Sequence, residues 1–242
     1  MSSKKQHGLK ATFRHNPHGH KTTYPQSSTI LLISVGQHYH EDEKFAATID
    51  LINRSKFKKC DIMLGDSIQR HNMFTVHDEP SEIIHKKSIV LGDEWLERNK
   101  KFYNELSMPY QIFRWDMWLK DPNYKKYRMV IDELYNNDPV VHQAFQESIN
   151  EFLSRYTKQF SNFNKETACI NCLEYLKEEC AIIIPLWSEL NYEFLIYPCN
   201  MLKAMAAIKE KLMPTSDHLY WLSLRFKRRA SYQPLTISDY KE

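Results

Sequence analysis

The strongest pattern along the chain is Thr29–Val35, an unbroken apolar run rich in β-branched residues that closes on Ser34, Val35 and Gly36. Such a run reads as a strand buried on both faces, the kind found inside a parallel sheet. Helical spacing replaces it over about 40–55, with Phe45, Ile49 and Ile52 on one face. A second buried strand, Cys60–Leu64, ends at Gly65-Asp66-Ser67. Helical periodicity then extends from Pro80 to Leu106, with a break expected near Gly92. Glu82/Lys86, Glu94/Arg98 and Glu97/Lys101 are i,i+4 pairs that support an exposed helix there. A third strand is predicted over Tyr110–Trp115. Helix follows over 121–157, divided where Asp138 caps and Pro139 takes the first helical position. A helix from Thr167 to about Cys180 leads into two further strands, Ala181–Trp187 and Tyr192–Tyr197, and Pro198 stops the second. A last helix, Met201–Met213, capped by Asn200, carries Leu202, Met205, Ile208 and Leu212 as a core stripe. Strands alternating with helices imply an α/β fold, a parallel sheet of about five strands with right-handed crossovers. Ser34 lies at the C-terminal edge of a buried strand, where open α/β sheets keep their chemistry. A local hydrogen bond closing the strand would equally account for it.

Composition narrows the chemistry. The five glycines (Gly8, Gly19, Gly36, Gly65, Gly92) are too far apart for G-x-G-x-x-G or a P-loop, which removes both phosphate-cradling motifs. Five cysteines form no disulfide framework. Cys169-Ile170-Asn171-Cys172, a lone C-x-x-C on a predicted helix, reads as ordinary helix cysteines rather than a metal or redox site. His15, His18 and His20 have no cysteine or carboxylate beside them, so no metal site is expected. No apolar run reaches membrane-spanning length and the N-terminus has no secretory h-region, so the expected location is the cytoplasm.

Charge is segregated although the net is only +3. Residues 1–26 carry five Lys/Arg and no acid, and 203–229 carry seven against Glu210 and Asp217, while the remainder holds 21 basic and 28 acidic residues, a net of −7. That distribution points to a polyanionic partner as readily as to solvated surface. Residues 1–27 read as a flexible basic arm preceding a single α/β domain over 28–242. Tyr220, Trp221 and Phe226 interleaved with Arg225, Lys227, Arg228 and Arg229 suit either base stacking with phosphate neutralisation or a docking segment with its rings turned inward.

In its motifs the chain resembles the cyclodipeptide synthases, which make cyclic dipeptides from two aminoacyl-tRNAs. The resemblance rests on Ile33-Ser34-Val35-Gly36-Gln37, Tyr39-His40-Glu41 and Glu43-Lys44-Phe45. Lys58-Lys59-Cys60, Gln69-Arg70-His71-Asn72, Tyr175-x-x-x-Glu179 and Tyr197-Pro198 reinforce it, over about residues 29–200. Gln37, Tyr197 and Pro198 match the subgroup with a variable first position and a Tyr-Pro pair. Asp42 stands where the family pattern Y-H-E-G-E-K-F has glycine, and an acid there suits the helix dipole.

The resemblance implies a Rossmann-like fold similar to the catalytic domain of class I tyrosyl- and tryptophanyl-tRNA synthetases. The amino acids arrive already activated on tRNA, so no cofactor is implied. Ser34 becomes the nucleophile of a ping-pong acyl transfer, Tyr175 and Glu179 hold the α-ammonium, and Tyr197 positions Ser34 or relays protons. The amine of a second aminoacyl-tRNA is expected to attack the acyl-enzyme, giving a dipeptidyl-enzyme that closes to the diketopiperazine. Gly36, Gln37 and Pro198 are assigned to substrate binding. Lys86, Lys87, Arg98, Lys100 and Lys101 are assigned to tRNA, with Arg225–Arg229 as a second candidate. The partners implied are two aminoacyl-tRNAs acting on a monomer, without membrane or metal.

Two other classes remain open to the sequence. A serine hydrolase would use Ser34-Val35-Gly36 as half of G-x-S-x-G, but Leu32 replaces the first glycine and His218, beside Asp217, is the only late histidine. A non-catalytic RNA-binding protein would use the basic arm and the Arg/aromatic terminus.

Overall fold

The computed structural model describes residues 8–14, 23–73, 79–156, 164–214 and 219–229. Its strands are β1 (Leu9–Phe13), β2 (Ser28–Ser34), β3 (Lys59–Gly65), β4 (Ile112–Arg114), β5 (Phe194–Tyr197) and β6 (Tyr220–Arg228), joined in one sheet of order β1-β6-β5-β2-β3-β4. All neighbours are parallel except β1, which runs antiparallel to β6. Among the described residues the helices are α1 (Asp42–Ser55), α2 (Arg70–Met73), α3 (Ser81–Tyr103), α4 (Trp115–Leu119), α5 (Tyr124–Asn137), α6 (Pro139–Tyr156), α7 (Lys165–Ala181) and α8 (Lys203–Leu212).

β2 lies inside the sheet because its sequence allows nothing else. Ile30 and Leu32 enter one core, Leu31 and Ile33 the other, and none of the four is more than 2% exposed. α1 and α3 cover the second face through Phe45, Ile49, Ile52, Trp95 and Tyr103. α4 to α8 cover the first through Trp115, Trp118, Phe145, Leu176 and Ile208. The β2–β3 register runs from Ser28 opposite Lys59 to Ser34 opposite Gly65, so both strands stop at one edge. Asp138 accepts hydrogen bonds from the amides of Val140 and Val141, the cap expected before Pro139. α8 starts later than expected, with Leu202 rather than Asn200 in the capping position.

The architecture corrects the sequence reading in three places. Ala181–Trp187 is not a strand: α7 continues into a π-helical turn, Ile182–Leu186. The Trp187 amide reaches back to the carbonyl of Ile182, and this wide turn accommodates Pro185, which has no amide to give. A short run of buried β-branched residues has the same signature in a strand and in a core helix. Second, α3 is unbroken at Gly92, which is instead a point of close approach. A Cβ there would lie 2.6 Å from Asp66 Oδ2 and 2.7 Å from Arg114 Nη2. Third, the chain before residue 28 is not simply an arm. Leu9–Phe13 is a strand, paired with β6, whose Leu222, Leu224 and Phe226 join Ala11 in the core. Residues 1–7 and 15–22, with His15, His18 and His20, lie outside the described residues.

Asp42 has φ 47°, a left-handed conformation that glycine adopts most readily. The glycine expected there is therefore a backbone requirement, which Asp meets better than most side chains.

Candidate active site

The site forms where β2 and β5 end. Ser34 is the last residue of β2, and the chain turns away through Gly36, whose φ of 86° would strain any other residue. An added Cβ on Gly36 would meet nothing within 4 Å, so the backbone beyond Ser34 borders open space. The Gln37 amide donates to Ser34 O at 3.3 Å, which fixes the turn. Gly36 and Gln37 are exposed beside the serine.

Ser34 Oγ lies 3.0 Å from Tyr197 Oη, and Tyr197 Oη lies 2.8 Å from Tyr39 Oη. The three hydroxyls form a line from the strand edge to the short 3-10 turn His38–His40. Burial raises the pKa of both tyrosines; Tyr197 raises that of Tyr39 further, while the hydrogen bonds of Ser34 and Tyr39 offset only part of the rise at Tyr197, so both remain phenols at neutral pH. Neither can serve as a tyrosinate base. They orient Ser34 and pass hydrogen bonds. Pro198, directly after Tyr197, is buried.

α7 supplies the opposite wall. Tyr175 and Glu179 are one turn apart, with Tyr175 Oη donating to Glu179 Oε1 at a long 3.5 Å. Glu179 is 7% exposed and its Oε2 has no hydrogen-bond partner. Burial, reinforced by the charge of Glu178 and opposed by the Tyr175 hydroxyl, pushes the Glu179 carboxyl up to about 8. Glu179 also acts electrostatically on Tyr197, which ties the two walls into one site.

Glu178, one position earlier, points elsewhere and is fully engaged. It accepts from Arg70, from Trp115 Nε1 at 2.8 Å and from His71 Nε2 at 3.3 Å. Burial opposes its ionisation, but His71 and Arg70 outweigh burial and hold it below the usual carboxylate range. This knot fastens α7 to the segment after β3. Gln69 belongs to the same segment. It donates to Gly65 O at 3.2 Å and hydrogen-bonds Tyr175, partly offsetting the burial that raises the tyrosine's pKa.

The structure thus brings Ser34, Tyr197, Tyr175 and Glu179 together. It adds Tyr39, Glu178 and Gln69, which sequence reasoning had quoted in motifs or passed over. Tyr39 was visible in the Tyr39-His40-Glu41 segment, and Glu178 only as the neighbour of Glu179. Glu41 is structural: Oε1 accepts from Arg98 at 3.1 Å and Oε2 from Asn99 at 2.9 Å, tying the start of α1 to α3. His40 is buried with neither ring nitrogen hydrogen-bonded, its pKa lowered to about 3 by burial and His38. It packs against the ring of Tyr197 and does not form a serine–histidine pair. His218 and Asp217 lie outside the described residues.

The five basic residues assigned to tRNA are all exposed on α3 but are not equivalent. Lys87 pairs with Glu79, Arg98 with Glu41 and Glu94, and Lys101 lies 4.8 Å from the centroid of the Phe102 ring. Lys86 and Lys100 have no ion pair among the described residues. Cys169 and Cys172 are free thiols on α7. No described group of three or more His, Cys, Asp or Glu side chains is placed to hold a metal ion, and no described helix is long and apolar enough to cross a membrane.

Comparison with solved structures shows that the fold is a known one. A CDPS from Fluoribacter dumoffii matches with 41% sequence identity and a TM-score of 0.88, over 93% of this chain and 100% of that one. A cyclodipeptide synthase from Candidatus Glomeribacter gigasporarum, solved bound to Phe-tRNAPhe, matches in fold with 15% identity and a TM-score of 0.66, over 89% of this chain and 93% of its own. A Mycobacterium tuberculosis protein, described as showing that cyclodipeptide synthetases are related to type I tRNA synthetases, matches at 12% identity and a TM-score of 0.63, over 93% and 95%. No family model matches the chain, and no curated protein sequence does.

Proposed function

The chain belongs to the cyclodipeptide synthases, and we propose that it joins two aminoacyl groups, both delivered on tRNA, through an acyl-enzyme on Ser34. The observation that carries this reading is Glu179: a buried carboxylate with one oxygen unpartnered, on the wall facing a serine at a strand edge. Neither a hydrolase nor a passive RNA-binding protein needs such an acceptor. An α-ammonium group, which every aminoacyl ester carries, satisfies it.

Ser34 Oγ attacks the aminoacyl ester carbonyl. The ester to the tRNA ribose breaks, the ribose oxygen leaves carrying the proton, and an aminoacyl ester forms on Ser34. Tyr39 and Tyr197 donate along the hydroxyl line and leave a serine lone pair aimed at the substrate. Tyr175 and Glu179 hold the α-ammonium of the bound group.

Atom balance reverses the second step expected from the sequence. If the incoming amine attacked the ester on Ser34, the serine would be released and the dipeptide would remain on tRNA. A dipeptidyl-enzyme forms when the amine of the acyl-Ser34 attacks the ester of the second aminoacyl-tRNA. That amine must first lose a proton. Glu179, whose carboxyl burial and Glu178 push up to about 8 in the free site, is the group placed beside that amine to take the proton. The free amine of the dipeptidyl group then attacks the ester on Ser34, closing the ring and regenerating the serine. Gly36, Gln37 and Pro198 border the acyl group, and Lys86, Lys87, Arg98, Lys100 and Lys101 contact tRNA phosphates. The enzyme works as a cytoplasmic monomer.

Mass spectrometry of medium from a bacterial host expressing the chain or its Ser34→Ala variant tests this. A diketopiperazine present only with Ser34 is the expected result. Equal product from both strains, or a serine ester formed from simple esters without tRNA, would defeat it.

A further inference from the structure

Gln69-Arg70-His71-Asn72 follows β3 at the edge where Ser34 lies, yet no step of the proposed reaction uses it. Its backbone stands on a fixed turn. The Gln69 amide donates to Asp66 O at 2.9 Å. The Asp66 carboxylate, fully buried, accepts from Ser67 N at 2.8 Å, from Trp115 N at 3.3 Å and from Arg114 Nε at 2.6 Å. A buried carboxylate satisfied in this way makes the turn rigid. Arg70 and His71 then hold Glu178. Gln69 and Asn72 have a different task.

Gln69 is buried, and its side-chain amide is held in one orientation. Nε2 donates to Gly65 O at 3.2 Å, and Oε1 accepts from Asn72 Nδ2 at 2.8 Å. The nitrogen has a second hydrogen to give. Burial raises the Tyr175 pKa and the charge of Glu179 raises it further, while a hydrogen bond from Gln69 opposes the rise. A donor to the phenol oxygen does that; an acceptor would not. A phenol has one hydrogen, and with Gln69 donating to its oxygen that hydrogen goes to Glu179 Oε1. The line is therefore directional, from Asn72 to Gln69, to Tyr175, to Glu179. It ends with Oε2 of Glu179 unpartnered. Turned over, the Gln69 amide would set its own oxygen against Gly65 O and offer Tyr175 an acceptor in competition with Glu179. Asn72 opposes the turn, because two amide nitrogens would then face each other.

The same line is tied to the nucleophile. Gly65 O also accepts from the Val35 amide at 3.4 Å, and Gly65 sits opposite Ser34 in the β2–β3 register. Hydrogen bonds thus run from the residue after Ser34 through Gly65, Gln69 and Tyr175 to Glu179. An aminoacyl group on Ser34 carries its nitrogen two bonds from the ester carbonyl carbon, so the separation of the two ends decides whether that nitrogen meets Glu179.

The geometry points to Gln69 as a positioning residue, its amide locked by Asn72, that holds Tyr175 as a donor to Glu179 and fixes the ammonium clamp relative to Ser34. This inference rests on the reading that Tyr175 and Glu179 hold the α-ammonium. It adds that the clamp takes its direction from two side chains that touch neither substrate nor Ser34.

The test is steady-state kinetics of the purified full chain on charged total bacterial tRNA, with diketopiperazine read by mass spectrometry and urea midpoints taken for each variant. Asn72→Asp leaves an acceptor where Gln69 needs a donor, and turns the amide over. Its kcat should fall about 10–100-fold while KM stays within about twofold of wild type. Asn72→Leu removes the lock without adding charge and should cost about 2–10-fold, the range for one neutral hydrogen bond. Gln69→Met removes the link itself. Gln69→Met/Asn72→Asp should be no slower than Gln69→Met, because Asn72 acts through Gln69. Asn72 is half-buried, so its own variants test the inference on a folded chain even if Gln69→Met does not fold. A role confined to stability gives lower urea midpoints with kcat per folded molecule unchanged, and that result would overturn the inference. So would losses that multiply in the double variant, or an Asn72→Asp variant as fast as wild type. A wild type that makes the diketopiperazine beside an equally fast Asn72→Asp variant keeps its reaction and loses this positioning role, whereas a wild type with neither product nor acyl-Ser34 loses both.

Discussion

Glu179 sits 7% exposed between a long hydrogen bond to Tyr175 and an oxygen with no partner, its carboxyl pushed up to about 8 by burial and by Glu178. An unfolded glutamate titrates near 4.3. Between these values the folded chain holds a proton that the unfolded chain has released. Stability from this group is therefore complete below the unfolded pKa and is lost as pH rises toward about 8. Glu179→Gln keeps the shape and removes the titration. It should abolish product and yet stabilise the fold, with an advantage near zero at about pH 4.5 that grows to a few kcal/mol, at most on the order of 5, by about pH 8. Urea midpoints measured along that pH series check it; parallel curves for the two proteins would sink it. On the proposed mechanism, stability is here subordinated to an electrostatic site for a charge that arrives with the substrate. The i,i+4 spacing made the Tyr175–Glu179 pair legible in the sequence, and motif resemblance gave it a role. Tyr39 escaped assignment because it reaches Tyr197 through the turn after Gly36, and no periodicity encodes a loop's path. Glu178 escaped because adjacent helix positions point apart, and only packing shows that it meets Arg70, His71 and Trp115.

At the level of elements, Gly92 separates two physical effects of opposite sign. Alanine in a helix interior is favoured over glycine by about 1 kcal/mol. At Gly92 its Cβ would fall 2.6 Å from Asp66 Oδ2 and 2.8 Å from Asp66 Cβ, against a fully buried carboxylate paired with Arg114. Overpacking of that kind costs about 1–3 kcal/mol or more, and displacing the ion pair leaves a buried charge unpaired, so the clash wins. Gly92→Ala should lower the urea midpoint by an amount equivalent to about 2 kcal/mol, and a midpoint equal to or above wild type would show that α3 is free to move away. The sequence suggested a break because glycine is read first as a helix weakener; tertiary approach is invisible to propensity. The same limit explains Ile182–Leu186, where burial on all sides erases the difference between strand and helix periods. β1 and β6 carried a usable signal. Leu9, Ala11 and Phe13 alternate with Lys10 and Thr12, and Leu222, Leu224 and Phe226 with Ser223, Arg225 and Lys227. The charge between the apolar positions drew attention away from the alternation.

Across the whole molecule, the catalytic edge depends on an order of strands that local reading cannot supply. The parallel α/β class followed from alternation, but β5 reaches β2 only after more than a hundred residues of intervening helix, and β6 lies outside β5. That order puts Tyr197 beside Ser34 and leaves β6 exposed on its outer side. β1 closes it. Removing residues 1–14 would strip Ala11, fully buried, and the partly buried Leu9 and Phe13 from the core. It would also free Arg54 and Arg229 from the carbonyls of Ala11 and Leu9, and open the edge of β6 to other chains. Burying such side chains contributes about 1.5–3 kcal/mol each when complete, and ordering a short strand opposes it. The shortened chain should therefore be destabilised by about 2–4 kcal/mol in urea and should self-associate in a concentration-dependent way on light scattering. If it stayed monomeric with an unchanged midpoint, β1 would be an accessory to the sheet. If it weakens as expected, one terminal strand both seals the sheet and gives Arg54 and Arg229 the carbonyls that hold them.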